Sequence, residues 1–501
     1  MATHHIATLM IPSWGHATSY IHLATQLLQK DPALVITIVQ HNLMVAKMEA
    51  ELQTCLYDAA RLRIIGVGEK EPAPTNKEAF EQLFGGWLGT VAQLAQGSEG
   101  WPKPHAIHMD YLCGGFLIEP TKKILGPDCK MLLLSSCSLS SLPAILADHD
   151  IAAIAEEIYA DKARREERSK DEILAAIVAA GNGTDKLSGK VVKFPGLPDV
   201  YDHERIGCGA GKIDGAEQIL VSMYTLAKAV HGIISTSSTC IEPGAGEYCQ
   251  ELFNKHGQEL FTVGLQAHEL CWGDAAPVPP TNDAVRSFLD TIESQDGPKS
   301  VLYISFGSAF FPVATPELIE GLVTTLLALD PPFSFLFALA SKKATLPKAL
   351  VERTNASGRG LICEAWVEQR AVLQHPALGW FLTHGGWNSV SEALSLGIPL
   401  IMWPTVGDQT TNAALLSSGP HPVAIELMQV RTGTQLGPSL RTTEPITGTV
   451  EAAAAELNAA FGAVRGPLGA TLRENALNMA QALRDARKGE VGEEISRLAR
   501  F

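Results

Sequence analysis

Two runs of short apolar strands alternating with amphipathic helices fill this 501-residue chain, separated by a stretch that can belong to neither. In the first run, segments 6–11, 34–40, 62–66, 106–110, 131–135 and 232–236 read as strands. Helical stretches lie between them, such as 15–29 with Ile21, Ala24, Leu27 and Leu28 on one face. The break comes at 265–282, where Pro277, Pro279 and Pro280 can continue neither a helix nor a central strand. Alternation then resumes: helix 283–294, strand 300–305, helix 316–329, strands 333–339, 360–365 and 379–383, helix 388–396, strand 399–403 and helix 409–418. Segment 419–449, rich in Gly, Pro and Thr, reads as a loop-rich insertion, and 468–500 as largely helical. Such alternation calls for parallel sheets covered by helices on both faces. The expected fold is therefore α/β, with two doubly wound domains. The first spans 1–264, the linker 265–282 and the second 283–470, with helices in 471–501 packing back toward the first. Ligands of such sheets bind beyond the strand C-termini.

Composition removes several function classes. Hydrophobic residues at 46% and charged residues at 19% suit a globular chain. A net charge of −15 without a Lys/Arg block lacks the footprint of a nucleic-acid partner. The start, 1–11, has no basic region and reads as a first strand, not a signal peptide. No stretch reaches the roughly 18 uninterrupted apolar residues of a membrane helix, so no integral membrane association is expected. Nine Cys without a CxxC pair suggest reduced, buried thiols and a cytoplasmic setting. The stretch 142–180, with mixed charges at 161–168, reads as a solvated helical excursion. Nothing in the sequence sets the oligomeric state.

The densest chemistry lies between Trp366 and Gln409. A strand ending at Thr383 turns through Gly385 and Gly386 into a helix beginning near Asn388. Free backbone N–H groups and the positive helix end then face an anion. His384, Asn388 and Ser389 add side-chain donors at that turn. Trp366 suits stacking on a flat base, although a single Trp is more often core. Glu392, one turn beyond Asn388, can accept from ribose hydroxyls; a solvated helix glutamate is the plainer reading. Asp408 and Gln409 follow an open Gly407 and suit sugar hydroxyls. Upstream, strand 300–305 runs into Gly307-Ser308, which reads as a simple turn or as a second phosphate contact through Ser308.

These residues resemble the signature box of the UDP-dependent glycosyltransferases of plants, fungi and animals. That box opens on a Trp and closes on a Gln forty-three places later, the interval from Trp366 to Gln409. Leu373, His375, Pro376, Phe381, Thr383, Gly397, Pro399 and Pro404 also stand in register with it. The resemblance implies the GT-B fold, two Rossmann-like domains facing across a cleft. It implies a UDP-sugar held by Ser308, Trp366, Val367, Gln369, His384, Gly386, Trp387, Asn388, Ser389, Glu392, Asp408 and Gln409. In the family the last two hold the transferred sugar, and a closing Gln usually accompanies glucose. The sequence departs from the family at Glu368, at Gly385, where Cys is common, and in the length of 420–447.

Pro12-Ser13-Trp14-Gly15-His16 follows the first strand and opens a helix. It resembles the family's Pro-x-x-Gly-His element, which makes His16 the base that deprotonates the acceptor hydroxyl. The positive end of the helix disfavours imidazolium and keeps the ring able to accept a proton. Asp110 closes strand 106–110 and would orient His16, its plainer role being a cap for the helix near Gly114. Trp14, Trp87, Tyr111, Phe116 and Leu139 are candidate apolar walls for the acceptor, in a residue class that is more often core. No metal and no cofactor are expected; the partners are a UDP-sugar and a small lipophilic hydroxylated acceptor.

Three rivals carry less. Asp148-His149-Asp150 is a DxD string of the metal-dependent transferases, but it sits in a helical stretch. His105 and His108 form HxxH without a third zinc ligand, and no GxSxG marks a hydrolase. A catalytically silent nucleotide-sugar binder, or a nucleotide-sugar epimerase on a similar scaffold, would share the second domain. As donor, UDP-glucose ranks before UDP-xylose and well before UDP-glucuronate.

Overall fold

The computed structural model describes residues 4–70, 76–143, 157, 160, 161, 172, 189–205, 226–273, 276–308, 311–341 and 343–501. The chain forms two compact units. The first comprises Met1–Ser188, Lys212–Gln266 and Asp485–Phe501; the second comprises Gly189–Gly211 and Ala267–Arg484.

A seven-stranded sheet forms the first unit, in the order Leu62–Val67, Leu34–His41, His4–Leu9, Ala106–Asp110, Lys130–Ser135, Gly232–Ser235, Glu259–Thr262. Every neighbouring pair is parallel. Its strands carry side chains buried on both faces, as a sheet covered twice requires. Helix Trp14–Lys30 lays Tyr20, Ile21, Ala24, Leu27 and Leu28 into the core with Ile6, Ile36, Leu132 and Ile234. The last helix, Glu490–Leu498, adds Val491, Ile495 and Leu498 to the same core. Strand Glu259–Thr262 is not foreseen from sequence; four residues are too few to show a period.

The second unit has a six-stranded, wholly parallel sheet, ordered Gly360–Cys363, Ser334–Ala338, Val301–Ser305, Leu378–Thr383, Leu400–Met402, Ala424–Glu426. Phe306, Phe335, Phe337, Trp380 and Trp403 dominate its core. Both sheets reverse strand order beside their first strand, at His4–Leu9/Ala106–Asp110 and at Val301–Ser305/Leu378–Thr383. That reversal is where doubly wound sheets bind ligands.

The insertion expected as loop is more ordered than its composition suggests. It supplies the edge strand Ala424–Glu426, and helix Val450–Ala463 follows it. Arg431, fully buried, pairs with Glu426, which also pairs with Arg441. Glu204 accepts from Ser439 Oγ at 2.7 Å and lies 3.5 Å from Arg441 Nη2. These bonds group 189–205 with the second unit, although sequence order sets it within 1–264. Most of 142–180, including Asp148, His149 and Asp150, lies outside the described residues. No described helix is long and apolar enough to cross a membrane, and the eight described cysteines are free thiols, six of them buried.

Candidate active site

Parallel pairing sets Leu9 level with Met109, so the segments leaving these two strands emerge side by side. Helix Trp14–Lys30 begins five residues after the first strand and carries His16 in its first turn. Asp110 ends the neighbouring strand and is fully buried. His16 Nδ1 lies 2.7 Å from Asp110 Oδ2, and the other carboxylate oxygen accepts from Leu112 N at 2.9 Å. Only a protonated Nδ1 can donate to a carboxylate, so the neutral ring keeps its lone pair on Nε2. Ser136 Oγ, from the loop after the next strand, lies 3.2 Å from the same Nδ1. Tyr111 stacks on the imidazole, with centroids 5.3 Å apart and planes at 29°. Ser136 is missed from sequence because it reaches His16 through the fold and belongs to no motif.

The proposed acceptor walls divide. Trp14 is half-buried, with Lys47 Nζ 4.1 Å from its ring centroid. Phe116 is exposed and meets Phe84 edge-on at 5.6 Å. Trp87 and Leu139 are fully buried. Trp87 spends its indole N–H on Thr121 Oγ1 at 2.9 Å and is a core residue.

In the second unit, the turn after Leu378–Thr383 is shaped by glycine. Gly385 has φ +86°, and a Cβ there would meet Met402 Cε at 2.7 Å. His384 is clasped between two glycines. A Cβ on Gly386 would stand 2.5 Å from its Nε2, and one on Gly307 2.8 Å from its Cε1. That contact brings the Gly307-Ser308 turn, with Ser308 exposed, against the turn that opens helix Trp387–Leu396. Burial pushes the His384 imidazole down to about 4, against a small opposing pull from a backbone hydrogen bond at Ser305. The ring is therefore neutral near pH 7. The Gly386 N–H makes no hydrogen bond to the protein among the described residues. Asn388 and Glu392 are half-buried and Ser389 is buried on the same helix.

Trp366 is 53% exposed, as a stacking platform requires, and Val367 beside it is buried. Gln369 Nε2 donates to Glu392 Oε2 at 2.8 Å and reaches Ser389 Oγ at 3.4 Å, tying the Trp366 segment to the helix. Trp387 opens that helix and is 4% exposed. Gln409 is also buried, and its Oε1 accepts from Thr405 N, Thr405 Oγ1 and Val406 N at 2.8–3.0 Å. Two backbone donors fix which end of the amide is oxygen. The amide nitrogen donates to no protein group among the described residues, which leaves it for a ligand. Asp408 Oδ2 accepts from Asn412 Nδ2 at 2.8 Å.

One described cluster, Asp290, Glu293 and His375, has metal-ligand residue types within reach of one another. There His375 Nδ1 accepts from Ala377 N, which places the ring proton on Nε2 beside Asp290 Oδ1 at 3.1 Å. A protonated nitrogen offers no lone pair to a cation. The HxxH pair fares no better. His105 Nδ1 is engaged with the His5 carbonyl at 2.9 Å, and His108 is fully buried against the Tyr20 hydroxyl at 3.0 Å.

Solved plant structures cover nearly the whole chain. Medicago truncatula UGT71G1, complexed with UDP-glucose, superposes with TM-score 0.70 at 20% identity over 99% of this chain and 98% of its own. Phytolacca americana UGT2, complexed with UDP-2fluoro-glucose and pterostilbene, gives 0.67 at 20% over 100% and 99%. The fold is the GT-B fold of these proteins. Among curated relatives, UDP-glycosyltransferase eriJ of Hericium erinaceus is 29% identical over 279 residues, 55% of this chain and 54% of its own length. An anthocyanidin 3-O-glucoside 2''-O-glucosyltransferase of Ipomoea purpurea is 34% identical over 187 residues, 36% of this chain and 37% of its own. The chain thus spans about half the length, or less, of the curated relatives it matches. Residues 275–436 match the family described as UDP-glucoronosyl and UDP-glucosyl transferase. Residues 275–436 are thus similar to that family, and the chain as a whole shares the GT-B fold.

Proposed function

We propose that the protein is an inverting UDP-glycosyltransferase that moves a sugar, glucose first among candidates, from a UDP-sugar to a hydroxyl of a small lipophilic acceptor. The observation that carries this reading is the 2.7 Å bond between His16 Nδ1 and the fully buried Asp110 carboxylate. A nucleotide-sugar binder has no use for a buried carboxylate orienting an imidazole that is still 17% exposed. In the proposed step the acceptor O–H loses its proton to His16 Nε2 while its oxygen bonds to the anomeric carbon. The bond from that carbon to the UDP oxygen breaks, and the electron pair leaves with the diphosphate. Asp110 stabilises the imidazolium so formed.

The departing negative charge falls to the donors of the second unit: the Gly386 N–H, the opening turn of helix Trp387–Leu396 and Ser308, with the neutral His384 packed between them. These replace a divalent cation in our reading, so no metal is required. Trp366 would stack on uracil, Glu392 would meet the ribose, and Asp408 with Gln409 the sugar. Relatives named as glucosyltransferases and neighbours complexed with UDP-glucose support glucose. UDP-xylose is the second reading, since it presents the same C2–C4 hydroxyls.

The test is acceptor-dependent release of UDP across terpenoid, sterol and phenolic acceptors, with EDTA present and product configuration read by NMR. We expect many turnovers per enzyme, survival of chelation and a β-linked product from the α-linked donor. Stoichiometric UDP release would mark a silent binder. Loss in EDTA restored by Mn²⁺ would return the metal site to Asp148–Asp150.

A further inference from the structure

We infer that Asn412 is a positioning residue that sets both halves of the donor site, joining the carboxylate that would hold the sugar to the turn that would hold the diphosphate. The inference rests on the donor-site reading above and deepens it. Asn412 is fully buried on helix Gln409–Ser417, one turn beyond Asp408, and its own N–H bonds the Asp408 carbonyl at 2.9 Å. Its side-chain Nδ2 gives away both hydrogens, one to Asp408 Oδ2 at 2.8 Å and one to the Gly385 carbonyl at 2.9 Å. Both partners act only as acceptors, so the orientation of this amide is dictated by chemistry. The same orientation leaves Asn412 Oδ1 buried without a partner. An unpaired buried polar atom is costly, and an apolar side chain packed there would not carry that penalty. The two donated bonds are what that penalty secures.

Each bond has a consequence at its far end. In a trans peptide the carbonyl and the following N–H point in opposite directions. Holding the Gly385 carbonyl toward Asn412 therefore turns the Gly386 N–H away from it, and that N–H finds no acceptor among the described residues. Gly385, at φ +86°, has the rotational freedom of a glycine, and Asn412 removes it. At the other end, holding Oδ2 confines Asp408 to one rotamer and fixes the plane of its carboxylate. One amide thus orients a neutral donor for phosphate and an anionic acceptor for sugar hydroxyls, Asn412 standing 27 positions after Gly385 in sequence.

Damage at Asn412 should therefore appear in two measurements that other variants affect singly. The probes are UDP and UDP-glucose, with binding by calorimetry and kinetics against one fixed acceptor, on wild type, Asn412→Leu, Asn412→Ser and Asp408→Asn. Asn412→Leu should weaken UDP about 10-fold and raise the KM for UDP-glucose by a further factor of about 10. Asp408→Asn should raise the KM for UDP-glucose while UDP affinity stays within about 2-fold, because it leaves the Gly385 carbonyl held. Asn412→Ser, whose single hydroxyl proton serves one partner at most, should fall between wild type and Asn412→Leu. A folded Asn412→Leu protein with UDP affinity and KM within about 2-fold of wild type overturns the inference, whatever its melting temperature. If Asn412→Leu does not fold, an unchanged Asn412→Ser protein overturns it equally. Wild-type protein that binds neither UDP nor UDP-glucose would overturn the donor-site reading itself, and the inference with it.

Discussion

In the first unit the two strands at the reversal of sheet order, His4–Leu9 and Ala106–Asp110, lead to a pair of side chains, His16 and Asp110. In the second, the strands at the equivalent place, Val301–Ser305 and Leu378–Thr383, lead to glycine turns: Gly307 at φ +74° and Gly385 at φ +86°. The topology is shared and the chemistry is divided. Moving a proton takes a group that titrates, held by a partner of known charge, and the backbone has none to offer. A diphosphate spreads its charge over several oxygens and is met by N–H groups in a fixed curve, which the backbone supplies once side chains are kept out. Unit one therefore depends on what its side chains are, and unit two on where side chains are absent.

The strongest way to break this contrast is at His16. His16→Ala should lower turnover by roughly 10²–10⁴ and leave UDP affinity unchanged, because it removes the proposed base and no donor contact. Near-normal turnover would end the side-chain account of unit one. Next comes the converse substitution, Gly386→Ala, which adds one methyl and removes no functional group. That methyl would lie 2.5 Å from His384 Nε2, and the ring cannot retreat because Gly307 flanks it. UDP affinity should fall at least about 10-fold, from distortion of the donor turn. An unchanged dissociation constant in calorimetry would show that the turn tolerates a side chain and that the contrast is overdrawn.

The units should also differ in their response to acid. In unit one, burial pushes His5 down to about 4 and His108 to about 3; in unit two it pushes His384 to about 4. Unfolded imidazoles titrate near 6.5. Between that value and the folded ones, the unfolded chain binds protons that the fold refuses, so unfolding becomes easier as pH falls. This stability is complete above pH 6.5 and is lost progressively from there toward pH 4 and below. Unit one holds two of these three groups, so its amide hydrogens should lose exchange protection sooner on acidification. Equal loss in both units, or none, would contradict the assignment.

The sequence made the contrast visible to different depths. Strands buried on both faces announce themselves as unbroken apolar runs, which is why five of the six strands of the second sheet can be read directly. The sixth, Ala424–Glu426, hides in three residues inside a Gly- and Pro-rich stretch. His16, Asp110 and His384 are legible because motifs bind residue type to strand ends. Trp87, Leu139 and Trp387 are ambiguous in sequence for one reason: an aromatic or aliphatic side chain fits a wall and a core alike, and the structure adds that all three are buried. Ser136, Phe84 and Asn412 escaped notice because their roles come from neighbours distant in sequence, His16, Phe116 and Gly385. For Asn412 a local hint existed, its place one helical turn after Asp408, but nothing in the sequence announces the Gly385 carbonyl.

The smallest expected effect tests whether a second side chain of unit two, besides Asp408, selects the sugar. Gln409 is the candidate. Its Oε1 is consumed by three donors from Thr405 and Val406, so this oxygen serves the loop and not the sugar. Its amide nitrogen alone remains for a ligand, and a neutral donor matches a neutral hydroxyl. Asp408 beside it is anionic, so neither residue offers a cation to the carboxylate of a glucuronate, whose burial without a partner is costly. Competition among UDP-glucose, UDP-xylose and UDP-glucuronate at equal concentration, read by product mass, should favour glucose, then xylose, with glucuronate last. A preference for glucuronate would overturn the argument; a preference for xylose would show that closure around C5 decides. Gln409→Ala removes the hydroxyl contact and also frees the Thr405 and Val406 N–H groups. It should therefore depress use of the favoured sugar by about 5–20-fold, while UDP itself loses less than about 3-fold. Equal loss for UDP and UDP-sugar would mean that Gln409 only braces the loop, leaving unit two with a sugar site whose selectivity rests on Asp408.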